Sequence, residues 1–254
     1  MSIIQGTGRG VARRFYEFPI EQSLRFDGSS YLSRTPSTAG NSHTWTWSMW
    51  FKLTNLGASY AAFIEAGESG SKYSAFWITN DKLTAYTYNS GTTIDVISTQ
   101  VLRDTSSWYH LVIKLDTSSS PAIVYYLNGV PITDLDTSTY PTSSSALYVN
   151  SANPHYIGDA VITTVDGFKG YLANIQSIDG QALDASYFGE TKQDIWIPKT
   201  FDGTSSTGGS TVSTDYGTNG FLLDFSSISG TTINDTAPID TNHSSANNWT
   251  ATGF

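Results

Sequence analysis

Apolar and polar residues alternate along most of this chain. In Trp108 to Thr133, WYHLVIKLDTSSSPAIVYYLNGVPIT, the residues Tyr109, Leu111, Ile113 and Leu115 share one face, and His110, Val112 and Lys114 share the other. A period of two is what a half-buried strand requires. A second β-rich run, Ala122 to Leu127, ends at Asn128-Gly129, and an apolar run resumes at Val130. Both turn residue types accept positive φ, so the dipeptide predicts a hairpin at this point. In TWTWSMWFKLTN, Trp45, Trp47, Met49, Phe51 and Leu53 alternate with Thr46, Ser48, Trp50 and Lys52. One wholly apolar face at period two predicts a core strand rather than an exposed aromatic platform.

Shorter runs follow the same rule. SLRFDGSSYLSR predicts two short strands about Asp27-Gly28, and AAFIEAG, SAFWITN and KLTAYTYNS predict three more, separated by turn residues. Tyr86 and Tyr88 lie opposite Leu83 and Ala85, so an inward leucine face turns both tyrosines outward. Asp134 to Ser145 reads as a polar loop, after which HYIGDA and FKGYLANIQSIDGQAL restore the strand pattern. Ala182 to Glu190 predicts a short helical turn capped by Asp184. Beyond Glu190 come DIWIPKTFDG, the low-complexity TSSTGGSTVSTD, NGFLLDFSSISG, and a tail in which Trp249 and Phe254 are the expected anchors. The pattern divides the chain into an N-terminal arm (1–22), a β domain (23–190) and a C-terminal extension (191–254).

Composition narrows the class. Across 254 residues the charged fraction is 14% and the aromatic fraction 13%, with Gly, Ser and Thr between short β-prone runs. That texture belongs to an all-β, antiparallel fold with many turns. The net charge of −9 argues against nucleic-acid binding, which depends on Lys and Arg. Arg9, Arg13 and Arg14 give the first sixteen residues a charge of +3, which leaves −12 on the remainder. Such a Gly-rich basic arm is suited to docking on an acidic partner or a neighbouring copy, and equally to being a loosely held terminus. With no cysteine, a disulfide framework and a thiolate metal site are both ruled out. No apolar run has the length of a signal peptide or of a bilayer span, so no membrane association is expected.

Taken in order, LRFDGSSYL, WTWSMWFK, WYHLVIKLD, YYLNGV, YIGDA and GYLANIQSIDGQAL resemble the concanavalin A-like lectin/glucanase jelly roll of the laminin-G and pentraxin-like type, over residues 23 to 190. The resemblance implies an antiparallel β-sandwich, with the extension packed on it. IDGQALDASYFGETKQDIWIPK, YGTNGFLLDFS and NNWTATGF resemble the extension attached to this jelly roll in tail-fibre-like and other virion structural proteins of marine bacteriophages. This second likeness implies a particle-surface protein, in a fibre, appendage or capsid decoration. The partners it implies are other virion proteins through the arm, further copies of the chain, and a host-surface polysaccharide. Calcium-binding members of the family use carboxylates near the first loop and the last strand, where this chain has Ala173-Asn174 in place of Asp-Glu. Asp27 and Asp159 are left as oxygen ligands, too few for a good cage, so turn formation is their expected role and no cofactor is required.

Hydrolysis of a sugar bond needs two carboxylates flanking it. Glucanases of this fold carry them as E-x-D-x-E, and the five glutamates here, at positions 17, 21, 65, 68 and 190, do not form that pattern. Asp134-x-Asp136 puts two acids on one face without a third. The four histidines show no metal-ligand spacing, and neither a nucleophile elbow nor a phosphate loop is present. A non-catalytic role is therefore expected, either glycan attachment or structural decoration, with a polysaccharide-degrading enzyme as the weakest alternative. For attachment, Trp77, Tyr86, Tyr88 and Tyr140 are the outward aromatics suited to stacking on a sugar.

Overall fold

A computed structural model describes residues 17–240 and 242–254. The strands of the first two thirds are β1 (Leu24–Asp27), β2 (Tyr31–Arg34), β3 (Thr44–Leu53), β4 (Ala61–Ser69), β5 (Lys72–Thr79), β6 (Lys82–Asn89) and β7 (Thr92–Val101). Then come β8 (Tyr109–Asp116), β9 (Ile123–Leu127), β10 (Val130–Ile132), β11 (Leu135–Thr139), β12 (His155–Ile157) and β13 (Lys169–Asp179). A 3-10 turn at Ala185–Tyr187 follows, with Asp184 accepting from the Ser186 N–H as its cap, as its sequence predicts. The remaining strands are β14 (Gly189–Lys192), β15 (Ile195–Pro198), β16 (Phe221–Leu223), β17 (Ile228–Ser229), β18 (Thr232–Ile233) and β19 (Trp249–Thr252). No helix among the described residues is long and apolar enough to cross a membrane.

The strands form an antiparallel β-sandwich. One sheet has the order β1-β13-β3-β8-β9-β10, with β16 also on β13; the larger runs β11-β7-β6-β5-β4-β12-β2-β19-β18-β17. Between them lie Trp45, Trp47, Met49, Phe51 and Leu53 of β3, Leu111, Ile113 and Leu115 of β8, and Phe76, Ile78, Leu83, Ala85, Ile94 and Val96 of the larger sheet. The predicted hairpin joins β9 to β10, with Asn128 at φ 50 and Gly129 at φ 81.

Two segments differ from expectation. Leu135–Thr139 lies in the expected polar loop but is an edge strand on β7, where polar side chains are tolerated because they meet solvent. Thr92–Val101, which carries no conspicuous apolar run, is a ten-residue strand. It turns Ile94 and Val96 to the core and Asp95 and Ile97 away from it. Ala173 and Asn174 sit at a β-bulge, Asn174 at φ 45, which separates the β13 residues paired with β1 from those paired with β16.

Residues after 190 are woven into both sheets. β16 pairs with β13, and β19 pairs with β2, with β18 and β17 continuing the larger sheet beyond it. Phe221 stands edge-on to Trp47 at 5.2 Å and to Trp249 at 5.0 Å, so the extension contributes to the central core. Other residues of it, together with the segment 183–188 just before it, cover the outer face of the smaller sheet. Val112 and Ile178 on that face are buried under Leu183, Phe188, Phe201 and Tyr216, which make a second apolar core. Trp249 is an anchor, as expected, whereas Phe254 is 55% exposed and touches the core through a T-shaped contact with Phe26 at 5.2 Å.

Polar contacts join the same segments. Arg34 of β2 donates to the Asn219 carbonyl at 3.3 Å and to Asn219 Oδ1 at 3.1 Å, and also bonds Asn247. Asp179 accepts from the N–H groups of Asn41 at 2.7 Å and Asn219 at 2.9 Å. Deeper in the extension, His243 Nε2 lies 3.0 Å from Asp235 Oδ2, both side chains fully buried. This contact raises the His243 pKa above its ordinary value. Burial alone would raise Asp235, but His243 and the N–H groups of Leu222, Asn247 and Ala237 hold it below the usual carboxylate range.

Two outcomes follow for stability. Trp249→Ala should cost about 3–5 kcal/mol, the usual penalty for a buried tryptophan, and denaturant unfolding should stay one cooperative transition. A separate early transition would mean that the extension folds on its own. His243 has a folded pKa above its unfolded one, so its contribution is complete below about pH 6.5 and is lost as pH rises through the folded value. The stability difference between the native protein and His243→Gln should therefore be larger at pH 6 than at pH 8.5 in urea titrations.

Candidate functional site

One outer face of the sandwich is covered by the extension, and the other carries a group of exposed and half-buried aromatic rings. On β5, Phe76 and Ile78 point inward, so Tyr73, Ala75 and Trp77 point outward; on β6, Leu83 and Ala85 point inward and Tyr86 and Tyr88 outward. The register sets Tyr73 beside Tyr88 and Ala75 beside Tyr86. The rings of Tyr73, Trp77 and Tyr86 consequently stand at the corners of a nearly equilateral triangle, with centroid separations of 6.4, 6.1 and 6.0 Å. Tyr60 meets Trp77 edge-on at 5.0 Å, and Tyr88 lies 6.4 Å from Tyr73.

Three of the four expected aromatics thus come together. Tyr86 and Tyr88 are half-buried on the outer face, as the alternation predicts. Trp77 is on that face but only 6% exposed, because Tyr60, Tyr73 and Tyr86 close around it. It forms the floor of the group rather than a projecting ring, and its Nε1–H finds no acceptor among the described residues. Tyr140 is elsewhere: just past β11, it packs against the central core between the sheets. Tyr73 could have been recognised from its spacing of four from Trp77, which puts the two on one strand face. Tyr60 precedes its strand and carries no periodic signal.

The register also lines polar groups up with the rings. Across the outer face run Tyr156, Glu65, Ala75, Tyr86, Asp95 and Thr139, each opposite the next on the neighbouring strand. Glu65 is engaged by the protein itself. Its Oε2 accepts from the Ile162 N–H at 2.6 Å, and its Oε1 from the Thr163 N–H at 3.1 Å and hydroxyl at 2.5 Å. Burial raises its pKa against the opposing pull of these bonds. The carboxylate therefore holds down the loop that crosses this end of the face. Tyr73 is pushed up to about 12, chiefly by burial and then by the neighbouring Tyr86, so its hydroxyl is protonated at any physiological pH.

Asp27 and Asp159 serve as turn residues. Asp27 Oδ1 accepts from the Ser29 N–H at 2.9 Å, the Ser29 hydroxyl at 3.0 Å and the Ser30 N–H at 2.9 Å, which holds the exposed carboxyl down at about 2. Asp159 Oδ1 accepts from the Ala160 N–H at 2.8 Å. Burial raises its pKa, and the charges of Asp166 and Asp27 add to the rise, so the three carboxylates are within electrostatic reach of one another. Among the described residues no group of three acidic or histidine side chains is placed to hold a metal ion. Arg9, Arg13 and Arg14 lie outside the described residues.

The family model described as the concanavalin A-like lectin/glucanases superfamily matches residues 26–186. No curated protein matches the chain in sequence. Among solved structures, the native heptameric SAP-like pentraxin of Limulus polyphemus is 14% identical, over 65% of this chain and 79% of that one, with a TM-score of 0.46. Domains LG4-5 of the mouse laminin alpha1 chain are 13% identical, over 70% of this chain and 44% of that one, with a TM-score of 0.43. Domain 4 of a GH43 extracellular arabinanase from Geobacillus stearothermophilus, in complex with arabinotriose, is 17% identical, over 65% of this chain and 73% of that one, with a TM-score of 0.49. At these identities the likeness concerns the fold alone.

Glu65→Gln provides a test of the loop anchor. An amide oxygen cannot accept all three donors, so the change should cost about 1–3 kcal/mol. Amide hydrogen exchange should quicken at Ile162 and Thr163.

Proposed function

The chain belongs to the concanavalin A-like lectin/glucanase superfamily, and from that premise we propose that it is a non-catalytic carbohydrate-binding protein displayed on a bacteriophage particle. The observation that carries the binding half of this reading is the cluster of Tyr73, Trp77 and Tyr86 on the outer face of the larger sheet, with Trp77 as its covered floor and the two tyrosines partly exposed. Aromatic faces pack against the apolar C–H faces of a sugar ring, and flanking Asp and Thr side chains meet its hydroxyls. Tyr156 and Tyr31, edge-on at 5.7 Å, extend the same outer face on the far side of Glu65.

Binding without hydrolysis is supported by the spacing of the acids. Glu65 and Asp95 are the carboxylates in the row through the triangle, separated by Ala75 and Tyr86. Three strand spacings put them roughly 14 Å apart, beyond the ~5–9.5 Å that retaining or inverting hydrolysis uses. The oxygens of Glu65 are also occupied by its own loop.

The particle assignment rests on the resemblance of residues after 180 to extensions of phage virion proteins, together with the way β16 and β19 extend both sheets of the sandwich. A host-surface polysaccharide is the ligand this setting offers, and labelling of intact particles with an antibody to the chain tests the setting directly. For binding, Tyr86→Ala with Tyr88→Ala should weaken affinity for a bound glycan at least tenfold, about 1.4 kcal/mol, with the fold retained. A glycan array on which the native protein binds nothing would instead favour a purely structural decoration module.

A further inference from the structure

We propose that the aromatic face selects uncharged saccharides, and that Asp95 is the residue that turns acidic ones away. The inference rests on the binding role given to the Tyr73, Trp77 and Tyr86 triangle, and it adds the class of ligand. Asp95 lies opposite Tyr86 on one side and opposite Thr139 on the other, on the outward side of β7. A ring seated over the triangle would therefore place its neighbour in the saccharide about one strand spacing away, ~5 Å, over the Asp95 carboxylate.

The charges nearby do not offset that carboxylate. Lys72 and Lys82, at the two ends of the strands that carry the rings, are committed to Glu68 at 3.0 Å and to Asp136. Glu65, the next acid in the row, is bonded to its own loop. A ligand on this face thus meets an acceptor at Asp95 and the hydroxyls of Thr92 and Thr139. A sugar hydroxyl suits both, since it donates to the carboxylate and accepts from a threonine hydroxyl. A uronate or sulfate group can only accept, and next to Asp95 it is repelled as a like charge.

The experiment uses the full chain at fixed ionic strength and two groups of probes. Laminarin, dextran, mannan and arabinan are neutral; alginate, polygalacturonate and carrageenan are acidic. The native protein should bind at least one neutral probe and discriminate against the acidic group by tenfold or more. Asp95→Asn, nearly isosteric and half-exposed, should reduce that neutral-to-acidic ratio by about tenfold while its thermal midpoint stays within a few degrees of native. Preferential binding of an acidic probe, or a ratio unchanged in Asp95→Asn, overturns the charge selection but leaves carbohydrate binding in place. Binding to neither group overturns both readings.

Discussion

Trp50, His110 and Trp196 hold together the arrangement on which the rest of the molecule depends. The imidazole lies against Trp50 at 4.8 Å and against Trp196 at 5.9 Å, with ring planes within 25°. Trp196 Nε1 donates to His110 Nδ1 at 3.0 Å, and an indole can only donate, so the imidazole proton belongs on Nε2, facing Ser48 Oγ at 2.9 Å. Burial pushes the His110 pKa down to about 3, and the neutral ring keeps this tautomer. The room for Trp196 comes from two glycines, since a Cβ on Gly129 or Gly189 would fall 2.5 or 2.3 Å from its ring. Gly129 therefore closes the central hairpin and also seats the extension.

A sandwich has two outer faces, and this contact decides which one is open. With β15 docked on the hairpin and Phe188, Phe201 and Tyr216 over Val112 and Ile178, the outer face of the smaller sheet becomes interior. Trp50 then tolerates burial on what the alternation marks as the mixed face of β3. Among the described residues nothing comparable covers Tyr73 and Tyr86 on the larger sheet, which stay partly exposed. Buried polar residues fix the seam. Arg34 stays charged with its pKa lowered to about 10 by burial, held between Asn219 and Asn247 and attracted by Asp235 and Asp179. Such a network needs every partner placed, so it favours one docking geometry of the extension over others.

The aromatic face of the larger sheet is a product of register. Along any single strand Tyr86 and Asp95 are nine residues apart with a turn between them; across the ladder they are neighbours. The same is true of Ala75, whose small side chain leaves Tyr73, Trp77 and Tyr86 room to approach one another above it. Glu65 shows how the environment divides two chemically similar acids: bonded and buried under residues 160–164, it serves the scaffold, whereas Asp95 points to solvent beside a tyrosine.

What the sequence determined by itself was whatever depends on near neighbours along the chain. The inward rows of β3 and β8, the Asn128-Gly129 turn, the Asp184 cap and the outward direction of Tyr86 and Tyr88 all follow from side-chain period or turn stereochemistry within a few residues. The order of motifs was enough to indicate the jelly roll. The tertiary structure alone decided that Leu135–Thr139 joins an edge, that Tyr140 turns to the core, that Trp77 is a covered floor, and that Asp95 stands beside Tyr86. Each depends on which distant strand lies alongside and in what register. Backbone hydrogen bonds that could be made equally well one residue along do not reveal that choice; only the packing of the whole sandwich selects it.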